Sequence, residues 1–177
     1  VEFAVIQQNV IEHNLFSYCG NDSVCNLDPI GTAAKVAIDP GHGGVKDKGA
    51  KGIIISRIYL SKFIIGWAYL TRIYYEKDFN LNVAKKLSTY LSNAGYSVYM
   101  TRTTDIAVSL EKRYKYANNL GVDIFVSIHH NSSNFFKKGY WVLYSGKHDV
   151  NNSKKLATEI NKGLSVKTTL KKHANPK

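Results

Sequence analysis

The chain has 177 residues, which is enough for one domain with its own hydrophobic core. A hydrophobic content of 44% is ordinary for a globular protein. The formal net charge of +11 suggests polyanionic surroundings such as nucleic acid, anionic lipid or another anionic polymer. The basic residues are spread along the chain, so they do not form the clustered arm of a nucleic-acid-binding protein, and solvated helix faces explain them equally well.

Residues 1–34 show weak periodicity, and we interpret them as a poorly ordered leader or linker with one short helix near residues 5–15. No signal peptide is visible, because the start lacks basic residues and a small-residue cleavage site. The spacing of Cys19 and Cys25 matches no zinc-finger or redox motif. Both a disulfide in an exported protein and a pair of free thiols remain open.

The stretch KVAIDPGHGG at residues 35–44 is the first with a clear structural meaning. Its apolar run predicts a buried strand that ends at Pro40, and the following glycines permit a tight turn. His42 is therefore expected at the carboxyl end of a strand, which is the edge where open α/β sheets bind ligands.

An apolar segment follows at about residues 52–75, and Arg57, Lys62 and Arg72 interrupt it. A membrane-spanning helix needs about 20 mostly apolar residues with few charges, so we expect no transmembrane span. The segment instead predicts an insertion, either a helix or hairpin over the site or a helix on a membrane surface.

The rest of the chain alternates strands and helices, which predicts a single α/β domain with a twisted, mostly parallel or mixed sheet flanked by helices. Helical periodicity predicts inward faces that include Phe79 and Ala94 in the first helix and Leu110 in the second. Ser109 is the expected N-cap of that second helix. The predicted elements are a helix at 76–94 ended by Gly95, a strand at 96–100, a helix up to Gly121, strands at 123–128 and 139–144, and a helix at 152–164.

Two adjacent histidines, His129 and His130, directly follow the predicted strand DIFVSI. Together with His42 and Glu76, which starts a helix, this pair could form a metal site at one sheet edge, since catalytic zinc has three such ligands and an open position. Glu76 also has an ordinary explanation, because a helix N-terminus favours a carboxylate. Successive strand residues point to opposite faces, so only one of the two adjacent histidines can face the metal, and this reasoning does not select which.

Other polar residues lie near the same predicted edge. Asp39 could orient a ligand or organise its own turn through backbone hydrogen bonds. Arg102 and Asp105 could line the site or bind a peptide carboxylate, with a structural ion pair between them as the alternative. Arg113 is expected to tie its helix to a neighbouring loop. No metal role is assigned to the peripheral histidines His13, His148 and His173.

Five motifs in order resemble the zinc-dependent N-acetylmuramoyl-L-alanine amidases of the amidase-3 type. The resemblance covers residues 35 to about 164 apart from the insertion, so we place an amidase-like domain at 35–170 and a tail at 171–177. It implies one Zn²⁺ bound by His42, Glu76 and His129, with Asn131 matching the family's asparagine and His130 at a position usually held by a small residue. The motifs are DPGHGG, EKDFNLNVAKKLSTYLSNAGYSVYMTR, LEKRYKYAN, VDIFVSIHHN and GYWVLYS.

The resemblance also implies hydrolysis of the amide between the muramoyl group and L-alanine of peptidoglycan, in the wall or outside a bacterial cell. The expected partners are the muramoyl peptide and anionic wall polymers, with no nucleic acid, and the chain is expected to be a monomer. Whether it serves as an autolysin or a phage endolysin is not defined by the sequence.

The chain departs from the family pattern after its last predicted helix. There the family carries a second glutamate as general base, whereas this chain continues SVKTTLKKHANPK. Asp149 and Glu159 are the later carboxylates, and neither is at the family position, so no catalytic base is assigned and C-terminal truncation is expected. Two alternatives follow: a wall-binding or regulatory remnant without turnover, or a different metal hydrolase acting on a small amide or phosphoester.

Overall fold

The computed structural model describes residues 4–5, 33–60, 66–130, 140–147 and 149–167. The predicted tail, Asn131, the two cysteines and the three peripheral histidines lie outside these ranges, as does nearly all of the leader. The elements are, in chain order, β1 (Ala4–Val5), β2 (Lys35–Pro40), β3 (Lys51–Leu60), β4 (Gly66–Tyr75), α1 (Glu76–Asn93), β5 (Ser97–Met100), α2 (Leu110–Leu120), β6 (Ile124–Ile128), β7 (Trp141–Val142) and α3 (Val150–Lys167).

A parallel sheet with the strand order β5-β2-β6 forms the centre of the domain. β2 pairs in parallel with both neighbours, so that Val36 lies opposite Val98 on one side and Ile124 on the other. Every residue of β2 after Lys35 is buried, as expected for a strand covered on both faces. The α/β class and the mostly parallel sheet flanked by helices are confirmed.

The two faces of β2 build two separate core clusters. Val36 and Ile38 pack with Ala84 of α1, whereas Ala37 packs with Ala117 of α2 and with Phe125. This division follows from the strand itself, because successive side chains point to opposite faces. The central strand is thereby held between two helices, and its carboxyl end is fixed in place.

The last part of the described chain forms a third cluster. β1 pairs in parallel with β7, and Tyr140 and Val142 pack against Ala157 of α3. The predicted strand at 139–144 is shorter than expected, and the helix predicted at 152–164 begins and ends further out. Val5, placed in a leader helix by the sequence, lies instead in a strand.

The predicted limits of the second helix are correct, but parts of the predicted inward faces are wrong. Ser109 accepts a hydrogen bond from the Lys112 N–H, and Gly121 ends α2 with a left-handed φ of 57°. Leu110, however, is 72% exposed, and Phe79 and Ala94 are exposed as well. Near the sheet edge the helices bury polar residues. Asn80 of α1 and Arg113 of α2 donate hydrogen bonds to the loop that carries His42.

The apolar insertion is an antiparallel hairpin, one of the forms expected for it. β3 and β4 pair from Lys51 opposite Tyr75 to Leu60 opposite Gly66. The hairpin thus ends on the residue before Glu76. Within the described part of the chain, none of the helices has the length and apolar character needed to cross a membrane.

Candidate metal centre

Two histidines and one glutamate meet at the carboxyl edge of the central sheet. His42 follows β2, Glu76 is the first residue of α1, and His129 follows β6. Nε2 of His42 lies 3.3 Å from Oε1 of Glu76, and Nδ1 of His129 lies 3.0 Å from the same oxygen. The donor atoms of all three residues lie within 4.8 Å of one another. The structure brings together the three residues that the family resemblance implies, and this group could hold a metal ion.

Two glycines make room for this cluster. A Cβ on Gly41 would lie 2.3 Å from Cε1 of His129, inside its ring volume. Gly49 has a φ of +64°, and a Cβ there would lie 2.6 Å from Cδ2 of His42 and 2.7 Å from Oε2 of Glu76. The side chains therefore pack directly on bare backbone, a fit that any larger residue at these positions would disturb.

Glu76 is buried and ionised. Its Oε2 accepts a hydrogen bond of 2.8 Å from the Ala50 N–H, and its Oε1 accepts one of 3.1 Å from the His130 N–H. Burial raises the pKa of the carboxyl. The hydrogen bonds with His129 and Ala50 and the nearby His42 imidazole outweigh burial, and they lower the pKa of Glu76 from 4.5 to about 2. A fixed negative charge therefore lies between two imidazoles.

The structure also separates the two adjacent histidines. His130 is 7% exposed, and its Nδ1 lies 2.7 Å from Oδ1 of Asn80. Its ring packs against Phe79 with 5.8 Å between centroids. Burial lowers the pKa of His130 to about 4, so the ring is neutral near pH 7. His129, and not His130, is the member of the pair that joins the candidate metal centre.

The turn that carries His42 is strained and is held by a buried ion pair. His42 has a φ of 61°, which is rare for a residue with a Cβ. Arg113 donates to the carbonyl oxygens of Pro40 (2.8 Å) and His42 (3.0 Å), and it forms an ion pair with Asp39 at 2.5 Å. The prediction that Arg113 ties its helix to a loop is confirmed, and Asp39 supports His42 through this arginine.

Asp39 has further partners from distant parts of the chain. Besides the ion pair with Arg113, its carboxylate accepts hydrogen bonds from Oγ1 of Thr101 at 2.5 Å and Oγ of Ser127 at 2.8 Å. Local turn hydrogen bonds do not account for its burial.

Arg102 and Asp105 do not form the ion pair expected from the sequence. Arg102 is 2% exposed and donates to the backbone oxygens of Gly41 and Lys77 at 3.0 and 2.8 Å. Asp105 instead pairs with the buried Lys77, whose Nζ also donates to the Gly44 oxygen at 3.1 Å. Both interactions join loops, and the enclosed guanidinium of Arg102 donates to backbone oxygens.

Three residues of the site were not singled out from the sequence: Asp47, Lys77 and Asn80. Asn80 donates to the Gly41 oxygen at 2.9 Å, and Asp47 lies 2.6 Å from Nδ1 of His42. Two sequence features could have indicated them. Asp47 is a carboxylate within the glycine loop, and Lys77 and Asn80 are polar residues on one face of α1 near its start. Among the residues that the structure describes, Asp47 is the sole further carboxylate bonded to the cluster. The later carboxylates contact other side chains, Asp149 with Asn152 and Glu159 with Lys162.

A pocket of about 460 Å³ adjoins the cluster on the α2 side. His42, Asp47 and His129 line one wall. The lining also includes residues at and just before the start of α2 and one residue of β6: Val108, Ser109, Leu110, Tyr114 and Phe125. Its volume is in the range of small-molecule sites, so part of a substrate could lie beside the three candidate ligands.

Comparison with known proteins identifies the family of the chain. The Amidase_3 family, described as N-acetylmuramoyl-L-alanine amidase, matches residues 36–176. The chain belongs to this family of cell-wall amidases. A sporulation-specific N-acetylmuramoyl-L-alanine amidase of Bacillus subtilis is 40% identical over 100 residues, which is 55% of this chain and 31% of that protein. The amidase LytC of the same organism is 32% identical over 132 residues, 74% of this chain and 23% of LytC.

Solved structures give the same relationship. The catalytic domain of CwlV, an N-acetylmuramoyl-L-alanine amidase from Bacillus (Paenibacillus) polymyxa var. colistinus, has a TM-score of 0.59 at 32% identity, covering 81% of this chain and 71% of that one. An N-acetylmuramoyl-L-alanine amidase from Clostridium difficile 630 has a TM-score of 0.58 at 34% identity, covering 80% and 68%. The chain thus spans most of these two solved chains, but less than a third of the two curated relatives.

Proposed function

We propose that this chain is a zinc-dependent peptidoglycan hydrolase that cleaves the amide between the N-acetylmuramoyl group and L-alanine. The meeting of His42, Glu76 and His129 at the ligand-binding edge of the sheet carries this proposal. Family membership supplies the substrate class. On this proposal the protein acts in or near a bacterial cell wall, where its positive charge favours contact with anionic wall polymers.

The donor set suits zinc. Two imidazoles and one carboxylate are a common catalytic zinc environment, and they leave a fourth position for water or substrate. Bound there, zinc would lower the pKa of a water molecule to about 7 and polarise the scissile carbonyl. The chain prepares the site for the ion, because Glu76 is already ionised and the backbone N–H groups of Ala50 and His130 fix both of its oxygens.

The pocket beside the cluster offers a place for the substrate. If the scissile amide lies against His42 and His129, the rest of the muramoyl peptide would occupy the pocket that the start of α2 lines. The residue that removes a proton from the attacking water is not assigned. The described carboxylates after β6, Asp149 and Glu159, contact Asn152 and Lys162. The alternative function is therefore that of a protein that binds the cell wall without turnover.

The test is the release of new amino groups from purified cell walls, with added zinc and with a chelator. We expect one zinc per chain and release that the chelator abolishes. His42→Ala should lose the zinc, whereas the control Lys85→Ala, on the exposed side of α1, should keep it.

Three outcomes distinguish the possibilities. Chelator-sensitive amine release supports the hydrolase. Stoichiometric zinc and retention on walls without amine release support the non-catalytic remnant. A wild-type chain that binds no zinc overturns the proposed metal site.

A further inference from the structure

The far side of the His42 ring contacts a carboxylate of the same glycine loop. Nδ1 of His42 lies 2.6 Å from Oδ1 of Asp47, while Nε2 on the opposite side faces Glu76. The loop closes on itself, because the Gly43 N–H donates to the Asp47 carbonyl oxygen at 2.8 Å. The glycine loop therefore folds its own carboxylate back onto the histidine.

This contact has a chemical consequence for the ring. An ionised carboxylate can only accept a hydrogen bond, so Nδ1 must carry the proton. A neutral imidazole with its proton on Nδ1 presents a lone pair on Nε2, which is the atom a metal ion would bind. In the other tautomer Nε2 carries the proton and cannot be a ligand.

We propose that Asp47 is a positioning residue that selects the ligand-competent tautomer of His42 and fixes the orientation of its ring. This inference rests on the proposed metal site and adds a residue to it. Carboxylates that hold the outer nitrogen of a metal-binding histidine contribute substantially to affinity in general. The 2.6 Å contact with Asp47 lies on the Nδ1 side of the ring, and Nε2 faces Glu76 and the candidate metal position.

A general structural role does not account for Asp47. Its side chain is 54% exposed, and its link to Gly43 uses backbone atoms that any substitution retains. The nearby carboxylates that join loops are different residues, Asp39 with Arg113 and Asp105 with Lys77. Removing the Asp47 side chain should therefore change the His42 ring and leave the fold intact.

The test compares Asp47→Ala and Asp47→Asn with the wild type, and Asp78→Asn is the matched control. Asp78 is an exposed carboxylate in the first turn of α1, and within the described residues it makes no hydrogen bond to the cluster. Zinc affinity is measured by competition with a chromophoric chelator. The His42 tautomer is read from long-range ¹H–¹⁵N spectra of the metal-free protein at a pH where the ring is neutral.

We expect Asp47→Ala to bind zinc about 10- to 100-fold more weakly and to shift His42 toward the tautomer protonated on Nε2. Asp47→Asn should lose less, since an amide oxygen can still accept from Nδ1. The Asp78→Asn protein should match the wild type in affinity to about twofold, and all variants should melt close to the wild-type temperature.

Two results overturn the inference. One is an Asp47→Ala protein with wild-type zinc affinity and an unchanged tautomer. The other is weaker binding with a lowered melting temperature and an unchanged tautomer, which would assign Asp47 a structural role. If the wild type itself binds no zinc, the proposed function fails, and the tautomer spectra still decide whether Asp47 controls the ring.

Discussion

Replacing Arg113 by methionine should destabilise the domain strongly, because this residue neutralises a buried carboxylate. Arg113 and Asp39 form an ion pair at 2.5 Å with side chains only 5% and 6% exposed. The same guanidinium donates to the backbone oxygens of Val108, Pro40 and His42. The Arg113→Met protein therefore keeps the charge of Asp39 buried and loses its main partner.

The magnitude follows from that uncompensated charge. Breaking a buried pair by removing one partner costs about 3–5 kcal/mol. Thr101 and Ser127 still donate to Asp39, so we expect about 3 kcal/mol, at the lower end. For a urea m-value of about 2 kcal/mol/M, this lowers the unfolding midpoint by about 1.5 M.

The assay is urea unfolding followed by circular dichroism, with two controls. Lys115→Met removes an exposed pair with Glu111 in the same helix, both side chains being 62% exposed, and should leave the unfolding midpoint close to that of the wild type. The double variant Asp39→Asn with Arg113→Met should recover part of the loss, because no buried charge is left unpaired. If Arg113→Met destabilises the domain no more than Lys115→Met does, the buried ion pair does not support the turn of His42.

Further predictions concern the cluster and its surroundings. In the metal-free protein, the lowered pKa of Glu76 contributes about 3 kcal/mol to the free energy of unfolding. This contribution is fully present above pH 4.5 and is lost as the pH falls toward 2. In urea unfolding at several pH values, Glu76→Gln should remove this pH dependence. Gly41→Ala should displace the His129 ring and weaken zinc binding at least about tenfold, with about 1–3 kcal/mol of destabilisation. Ser109→Ala should lower the free energy of unfolding by about 1 kcal/mol, since it removes the acceptor for the Lys112 N–H.

Each of these has a result that contradicts it. A Glu76→Gln protein as acid-sensitive as the wild type would mean that the carboxyl is not ionised at low pH. For the glycine, the control is Gly146→Ala, where an added Cβ meets no atom within 4 Å, and equal zinc affinities of the two variants would refute the steric argument. An unchanged unfolding midpoint for Ser109→Ala would show that the cap contributes nothing.

Much of the fold and two members of the site, His42 and Glu76, could be derived from local patterns. The apolar run before Pro40 and the glycines after it predict a strand end that presents His42. Helical periodicity predicts α1 with Glu76 at its start, and the Ser109 cap and Gly121 stop predict the limits of α2. These features depend on backbone preferences within a few residues, so the sequence alone determines them.

Packing between distant segments decided the rest of the site. The run at 53–75 is compatible with a helix or a hairpin by composition, and only the structure shows the paired strands. The choice between His129 and His130 depended on which face of β6 meets Glu76.

The polar contacts around the turn have the same origin. Arg113 and Asp39 lie 74 residues apart in the chain, and no local pattern pairs them. A sequence fixes where strands and helices can begin and end, because those limits depend on neighbouring residues. Which side-chain atoms meet is set by how the helices lie on the sheet, and a buried carboxylate such as Asp39 needs a partner that this arrangement supplies.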